Sequence, residues 1–303
     1  MENESGGKNL ESQGEKKNEQ RRRLHVAWAI TGAGHHLHET LEVLRHLRDT
    51  GRVDVTLLFS KAALEVTRMY GLLGSLLATA SVPRRRHVVR EPDQGSSFPI
   101  CGKFNLDLYD ALVVCPATAN TVAKVAAGVA DTLVTNVVAM ASKGPPQVFL
   151  VPTDYEAGPL ETTLPVTADF SKCEGCPVAP TPTQLRRRPE ARRSKVAEED
   201  EEENQREVGE EEACPIVDVC PHGAISWVEG KGFLDLRNCH GCMKCVRACP
   251  AVFQYGKKIT ITIRDLDAEN VRRLVLVEDI VVLPTPRDIL SEIEAMLASG
   301  DGE

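Results

Sequence analysis

Apolar residues in the first half of the chain arrive in short, nearly unbroken runs, each followed by a stretch where they recur every third or fourth position. His25-Val26-Ala27-Trp28-Ala29-Ile30 is the first run, and Thr31-Gly32-Ala33-Gly34 follows it. Leu37, Leu41, Leu44 and Leu47 then recur at helical spacing. Such a run reads as a strand buried on both faces, and the leucine stripe as a helix that covers it. Val53 to Ser60, Ala111 to Pro116 and Gln147 to Pro152 supply three more strands of the same type. Strands alternating with helices predict an α/β domain with a parallel sheet covered on both faces. Its ligand would sit beyond the carboxyl ends of the strands, where Gly32, Ser60 and 116–121 gather. A glycine-rich turn between strand and helix lets backbone N–H groups approach an anion, and the helix dipole favours negative charge there.

Beyond Pro152 the pattern changes. Ala224 to Val228 and Phe233 to Leu236 flank a glycine-containing turn and predict a β-hairpin, while Lys258 to Ile263 alternates as one further strand. Ile289, Ile293 and Met296 suggest a terminal amphipathic helix. Cysteines dominate the intervening segment. Cys239 to Pro250 reads C-x2-C-x2-C-x3-C-P, the thiolate spacing of a ferredoxin-type [4Fe–4S] site. A zinc knuckle needs only paired C-x2-C and has no use for the third regular cysteine or the trailing Cys-Pro. In two-cluster ferredoxins the fourth cysteine of a run ligates the other cluster. A broken partner run stands upstream: Cys173, Cys176, Cys214 and Cys220, the last in a second Cys-Pro. Cys173, Cys176, Cys214 and Cys249 are therefore assigned to one cluster, and Cys220, Cys239, Cys242 and Cys245 to the other. The long gap before Cys214 and the C-x5-C spacing to Cys220 make Cys214 the weakest member.

Composition narrows the setting. The chain has 303 residues, 42% of them hydrophobic, and ten cysteines. That length accommodates two domains. Residues 1–23 are polar and charged, so they are expected to be a disordered tail and neither a signal peptide nor a membrane span. Cysteines in such a chain point to metal-bound or free thiols in a reducing cytoplasm rather than to disulfides. Between Cys176 and Cys214 lies a charge diblock: Arg186 to Lys195 is basic and Glu198 to Glu212 strongly acidic. With almost nothing apolar to bury, 184–213 reads as a solvated, disordered insert. The formal net charge of −8 is shaped by that insert and says little about partners. No basic-aromatic stripe suggests nucleic acid.

The segment Cys115-Pro116-Ala117-Thr118-Ala119-Asn120-Thr121 with Lys124, Gly128 and Asp131 behind it closely resembles the Pro-Ala-x-Ala-Asn-Thr signature of the homo-oligomeric flavin-containing Cys decarboxylase superfamily. With Thr31-Gly32-Ala33-Gly34 upstream and Val151-Pro152-Thr153-Asp154 downstream, it is most similar to the archaeal flavoprotein and dihydromethanopterin reductase branch. The resemblance covers about 24–155 and, through iron–sulfur flavoproteins of that branch, 170–263. It implies a flavodoxin-like or Rossmann-like parallel-sheet domain at 24–168 that binds FMN, and behind it an α+β module of ferredoxin type with two [4Fe–4S] clusters at 169–265. Residues 266–303 are left as a C-terminal extension without legible chemistry. Carried over residue by residue, the resemblance implies that Gly32, Ala33, Gly34 and Ser60 hold the FMN phosphate region and that Thr118, Ala119, Asn120 and Thr121 line the flavin. The bland alternative for 116–121 is an ordinary helix cap, since Thr and Asn cap well.

The same resemblance implies the reaction: electrons from a reduced ferredoxin or similar donor enter the clusters, pass to FMN and reduce dihydromethanopterin to tetrahydromethanopterin. It also implies a homo-oligomer, a trimer or larger. No catalytic side chain is assigned. Two other readings stay open, a pure electron carrier between redox proteins and a zinc-knuckle flavoprotein. His35, His36 and His38 read as pocket-edge or solvent-facing groups rather than a metal site, because three His within four residues cannot all face one ion. Cys115 reads as a small buried hydrophobe and Cys101 has no partner motif. Ser142 and Lys143 read as a helix terminus or as a flavin or substrate contact.

Overall fold

The computed structural model describes residues 23–80, 88–174, 176, 216–228 and 231–300. The tail 1–22, the insert 184–213 and Cys214 lie outside them.

All four runs form parallel strands: β1 (Leu24–Ile30), β2 (Val53–Phe59), β4 (Ala111–Ala117) and β5 (Gln147–Pro152). Alternation sends the side chains of each strand to opposite faces. Val26, Trp28 and Ile30 join one core with Val113, Phe149 and Val151, beneath Leu37, Leu41 and Leu44 of α1 (Leu37–Asp49). Ala27, Ala29, Leu112, Val114, Val148 and Leu150 join a second core, which α5 (Leu133–Ala141) covers with Leu133, Val137 and Val138. Two buried faces explain why these strands are apolar along almost their whole length. The buried Trp28 indole N–H donates to the Cys115 carbonyl at 2.8 Å, so the largest core side chain leaves no polar atom unpaired.

Two edge strands are absent from the sequence reading. The sheet order is β12-β5-β4-β1-β2-β3, with β3 at Val88–Arg90 and β12 at Ile280–Val282. β12 comes from the segment set apart as an extension, and it pairs in parallel with β5. The helices on either side of it are core elements. Val271 and Leu274 of α8 (Asp265–Val275) sit in the second core, and Ile289, Ile293 and Leu297 of α9 (Asp288–Gly300) in the first.

The cysteine-rich region is therefore inserted between β5 and β12 of the sheet. Its stem is an antiparallel ribbon of β6 (Gly158–Thr163) and β11 (Lys258–Ile263), which places the Lys258 strand in the stem rather than in a compact module. Beyond the stem, β7 (Thr167–Ala168) pairs with β10 (Phe253–Gln254). The expected hairpin forms from β8 (Ile225–Val228) and β9 (Lys231–Leu234), with Ile225 opposite Leu234. Val166, Ala224, Ile225, Val252 and Phe253 make a third, separate core, with Cys239 and Cys245 among its buried members.

Candidate functional site

Three helices begin at one end of the sheet, and each carries its own cap. α2 (Lys61–Met69) follows Ser60, whose side chain accepts from the Ala63 amide. α4 (Ala119–Ala126) follows Thr118, which accepts from the Thr121 amide, and α5 follows Thr132 in a reciprocal capping box with Thr135. Their N-termini open on one cleft of about 550 Å³, the size range of small-molecule sites. Gly32, Ser60, Thr118, Asn120 and Thr121 line it, as the sequence led one to expect. Ala33, Gly34 and Ala119 are not among its lining residues. Ala33 is buried, Gly34 lies against the Tyr70 hydroxyl, and Ala119 opens α4. The helix-cap reading of 116–121 also holds, because the residue that caps α4 is one that lines the cleft.

Sequence reasoning missed the charged part of this cleft. The Glu91 carboxylate accepts from the Lys61 amide at 2.9 Å and from the Leu133 amide at 3.3 Å, so one acid joins the first residues of α2 and α5. Lys124 forms a two-pronged ion pair with Asp131 at 2.9 and 2.8 Å. Thr31, 3% exposed, donates its hydroxyl to the Pro116 carbonyl and accepts from the Thr118 amide, stitching the loop after β1 to the loop after β4. The capping box and a lone Glu after a short strand were the only traces of these contacts in the sequence.

The histidines beside the first loop stay out of the cleft wall. Burial holds the His35 imidazole down at about 4, with His36 pushing the same way, and burial also lowers His36. His36 takes a left-handed conformation at the start of α1 and faces Glu39 at 3.2 Å, while His38 reaches the Tyr255 hydroxyl at 2.9 Å. Cys115 is fully buried, its thiol pushed up to about 12 by burial, which suits a core residue and not a nucleophile. Cys101 is buried as well. Ser142 ends α5 and donates to the Val138 carbonyl at 3.0 Å.

In the inserted region, Cys220, Cys239, Cys242 and Cys245 line a single cavity. These are the four cysteines assigned to the second cluster. The Ala224 amide donates to the Cys220 sulfur at 3.3 Å and the Gly241 amide to the Cys239 sulfur at 3.4 Å. Burial raises the Cys239 and Cys245 thiols, and the neighbouring thiols, Cys220 and Cys242 for both, raise them further. Burial and mutual approach thus disfavour the thiolate forms, which a cationic centre among them would favour. His222 and His240 stack with ring centroids 3.7 Å apart and line the same cavity. Of the first cluster's set, Cys173 and Cys249 pack against the third core, and the Cys176 amide donates to the Cys173 carbonyl at 3.1 Å. Among the described residues no group of three or more His, Cys, Asp or Glu side chains is arranged to hold a single metal ion. No helix among them is long and apolar enough to cross a membrane.

A parallel sheet whose strand ends and helix N-termini open on one cleft defines a doubly wound α/β protein with its ligand site at the carboxyl ends of the strands. Residues 14–157 match the Flavoprotein family. The chain is 37% identical over 267 residues to a dihydromethanopterin reductase (acceptor) of Methanosarcina mazei, covering 88% of this chain and 97% of the relative. It is 36% identical over 271 residues to a protein of the same name from Methanocaldococcus jannaschii, covering 88% and 94%. The chain belongs to the flavoprotein family of the dihydromethanopterin reductases (acceptor). The crystal structure of Burkholderia xenovorans DmrB in complex with FMN, described as a cubic protein cage for redox transfer, has the same fold at 20% identity. Its TM-score is 0.52, over 93% of this chain and 99% of that one.

Proposed function

We propose that this chain is an FMN-dependent dihydromethanopterin reductase that draws its electrons through iron–sulfur clusters held in the inserted region. The reading is carried by one observation: the identity to the two named reductases runs along 88% of the chain, through the sheet domain and the cysteine-rich insert alike. FMN, when bound, accepts electrons singly and delivers them in pairs to an unsaturated substrate, which is the step that clusters alone cannot perform.

The chain's own groups suit these roles. Glu91 already occupies the N-termini of α2 and α5, so the cofactor's phosphate falls to the loop at Gly32, the Ser60 hydroxyl and the N-terminus of α4, whose first turn contains no acid. Thr118, Asn120 and Thr121 offer small polar groups to the edge of a flat ring without blocking it. Lys61 and Lys124 stand in the same wall as cations. Cys220, Cys239, Cys242 and Cys245 would hold one [4Fe–4S] cluster, with the Ala224 and Gly241 amides bonded to sulfur. Cys173, Cys176, Cys214 and Cys249 would hold the other. The electron donor would be a reduced ferredoxin or a protein like it, and the working form a homo-oligomer in the cytoplasm.

Anaerobically purified protein, reduced and mixed with dihydromethanopterin in a stopped-flow cuvette, tests the reading. Rapid reoxidation of the flavin spectrum is expected. A flavin that ignores the pterin yet is reoxidised by a protein acceptor would make the chain an electron carrier instead. Metal analysis of the same sample should give about eight iron atoms per chain; zinc in their place would point to knuckles.

A further inference from the structure

The cysteine cavity approaches the sheet domain where two glycines meet backbone to backbone. Gly241, between Cys239 and Cys242, lies against Gly71, which ends α2. A carbon added to Gly71 would stand 2.6 Å from the Gly241 carbonyl oxygen, and one added to Gly241 would meet the Gly71 Cα at 2.6 Å and the Met69 carbonyl oxygen at 2.8 Å. Both residues also have positive φ, +70° and +57°. Neither position admits a side chain.

Each partner of this contact is fixed on its own side. Gly71 closes α2 in a Schellman motif, its amide bonded to the Arg68 carbonyl at 2.9 Å and the Leu72 amide to the Thr67 carbonyl at 2.9 Å. The preceding Tyr70 donates its hydroxyl to the Thr163 carbonyl at the end of β6, at 2.6 Å, and its own carbonyl accepts the Tyr255 hydroxyl at 3.0 Å. One turn is thus bonded to the stem strand β6 and to Tyr255 just after β10, and it presses on the loop between them. The pressed residue is the one whose amide donates to the Cys239 sulfur.

We propose that Gly71 and Tyr70 are positioning residues for the cysteine cavity: the end of α2 holds the Gly241 amide on the Cys239 sulfur, and the sheet domain thereby sets the reduction potential of the cluster bound there. The proposal rests on the reading that this cavity holds an iron–sulfur cluster. N–H donors to sulfur stabilise the reduced, more negative cluster, so their loss lowers its potential.

The test uses the full chain with iron and flavin loaded. Gly71→Ala is compared with Gly74→Ala, where an added carbon meets nothing within 4 Å. Gly71→Ala should keep its iron while the potential of one cluster moves to more negative values. In metal-free protein, hydrogen exchange over 239–243 should quicken by about tenfold as that loop loses its support. Gly74→Ala should match wild type in both measurements. If Gly71→Ala does not fold, Tyr255→Phe, which removes the hydroxyl's bonds to the Tyr70 carbonyl and to His38, carries the test with a smaller shift of the same sign. Unchanged potentials in both Gly71→Ala and Tyr255→Phe, or an equal shift in Gly74→Ala, would overturn the proposal while leaving the cluster reading intact. Wild-type protein that binds no iron would remove that reading, and this proposal with it.

Discussion

Thr31 and Thr118 are bonded across two strands of the sheet: the Thr31 hydroxyl accepts the Thr118 amide at 2.9 Å while donating to the Pro116 carbonyl at 2.7 Å. The pair sets the loop after β4 at a fixed height against the loop after β1. Thr118 in turn caps α4, so the hydroxyl of Thr31 governs the wall of the cleft at second hand.

Thr31→Val keeps the shape of the side chain and removes both bonds, leaving the Thr118 amide and the Pro116 carbonyl without this partner. The expected cost is about 1–3 kcal/mol of stability. Flavin affinity should weaken as well, because the Thr118 turn is released. Thermal melts with and without FMN, together with fluorescence titration of the flavin, check both parts; an unchanged affinity would show that the turn holds itself.

Glu91 acts on stability more than on the cofactor. Its carboxylate meets the Lys61 and Leu133 amides, a negative charge at two helix N-termini. Glu91→Gln retains one acceptor and loses the charge, and should cost about 1 kcal/mol. Flavin affinity should hold or rise, since a carboxylate is withdrawn from the cleft proposed to receive the phosphate. Loss of flavin at full thermal stability would reverse the assignment.

Ile293 lies fully buried in the first core, on the last helix of the chain. Ile293→Ala should destabilise the flavin domain by about 2–5 kcal/mol. Denaturant unfolding followed by flavin fluorescence reads this directly, and a change below about 0.5 kcal/mol would mean that the helix is an appendage.

The pH dependence centres on His35. Its folded value of about 4 lies below the 6.5 of an unburied imidazole, so between these values the unfolded chain binds a proton that the folded chain refuses. Its contribution to stability is complete above 6.5 and is lost as the pH falls towards 4. His35→Gln should lose less of its melting temperature than wild type between about pH 7 and about pH 5. Glu39, raised chiefly by burial, acts in the opposite sense, and His36, lowered by burial, in the same sense; both remain in the variant.

What the sequence disclosed follows from where the physics is local. β1, β2, β4 and β5 are legible because both faces of each are buried, which writes the strand as an apolar run. Val88-Val89-Arg90 and Ile280-Val281-Val282 are three residues each at the two edges of the sheet, too short to leave a period. Gly32, Ser60 and Thr118 could be placed because they stand directly after strands, where a parallel sheet collects its ligand. Glu91 could not. Its role is to reach two helices from the short 3-10 turn after β3, and that arrangement exists only once the sheet has formed. Cys220, Cys239, Cys242 and Cys245, grouped in the sequence by their intervals, line one cavity, since such intervals are a property of the chain itself.

The stem of the insert pairs Gly158 with Ile263 at its base, so the chain leaves the sheet domain and returns to it at one spot. That geometry has a cost in time. During synthesis β5 emerges early, yet the strand that covers its open edge is not made until Ile280 has been added. Until then the growing protein carries a sheet with one edge strand missing, and that edge closes late.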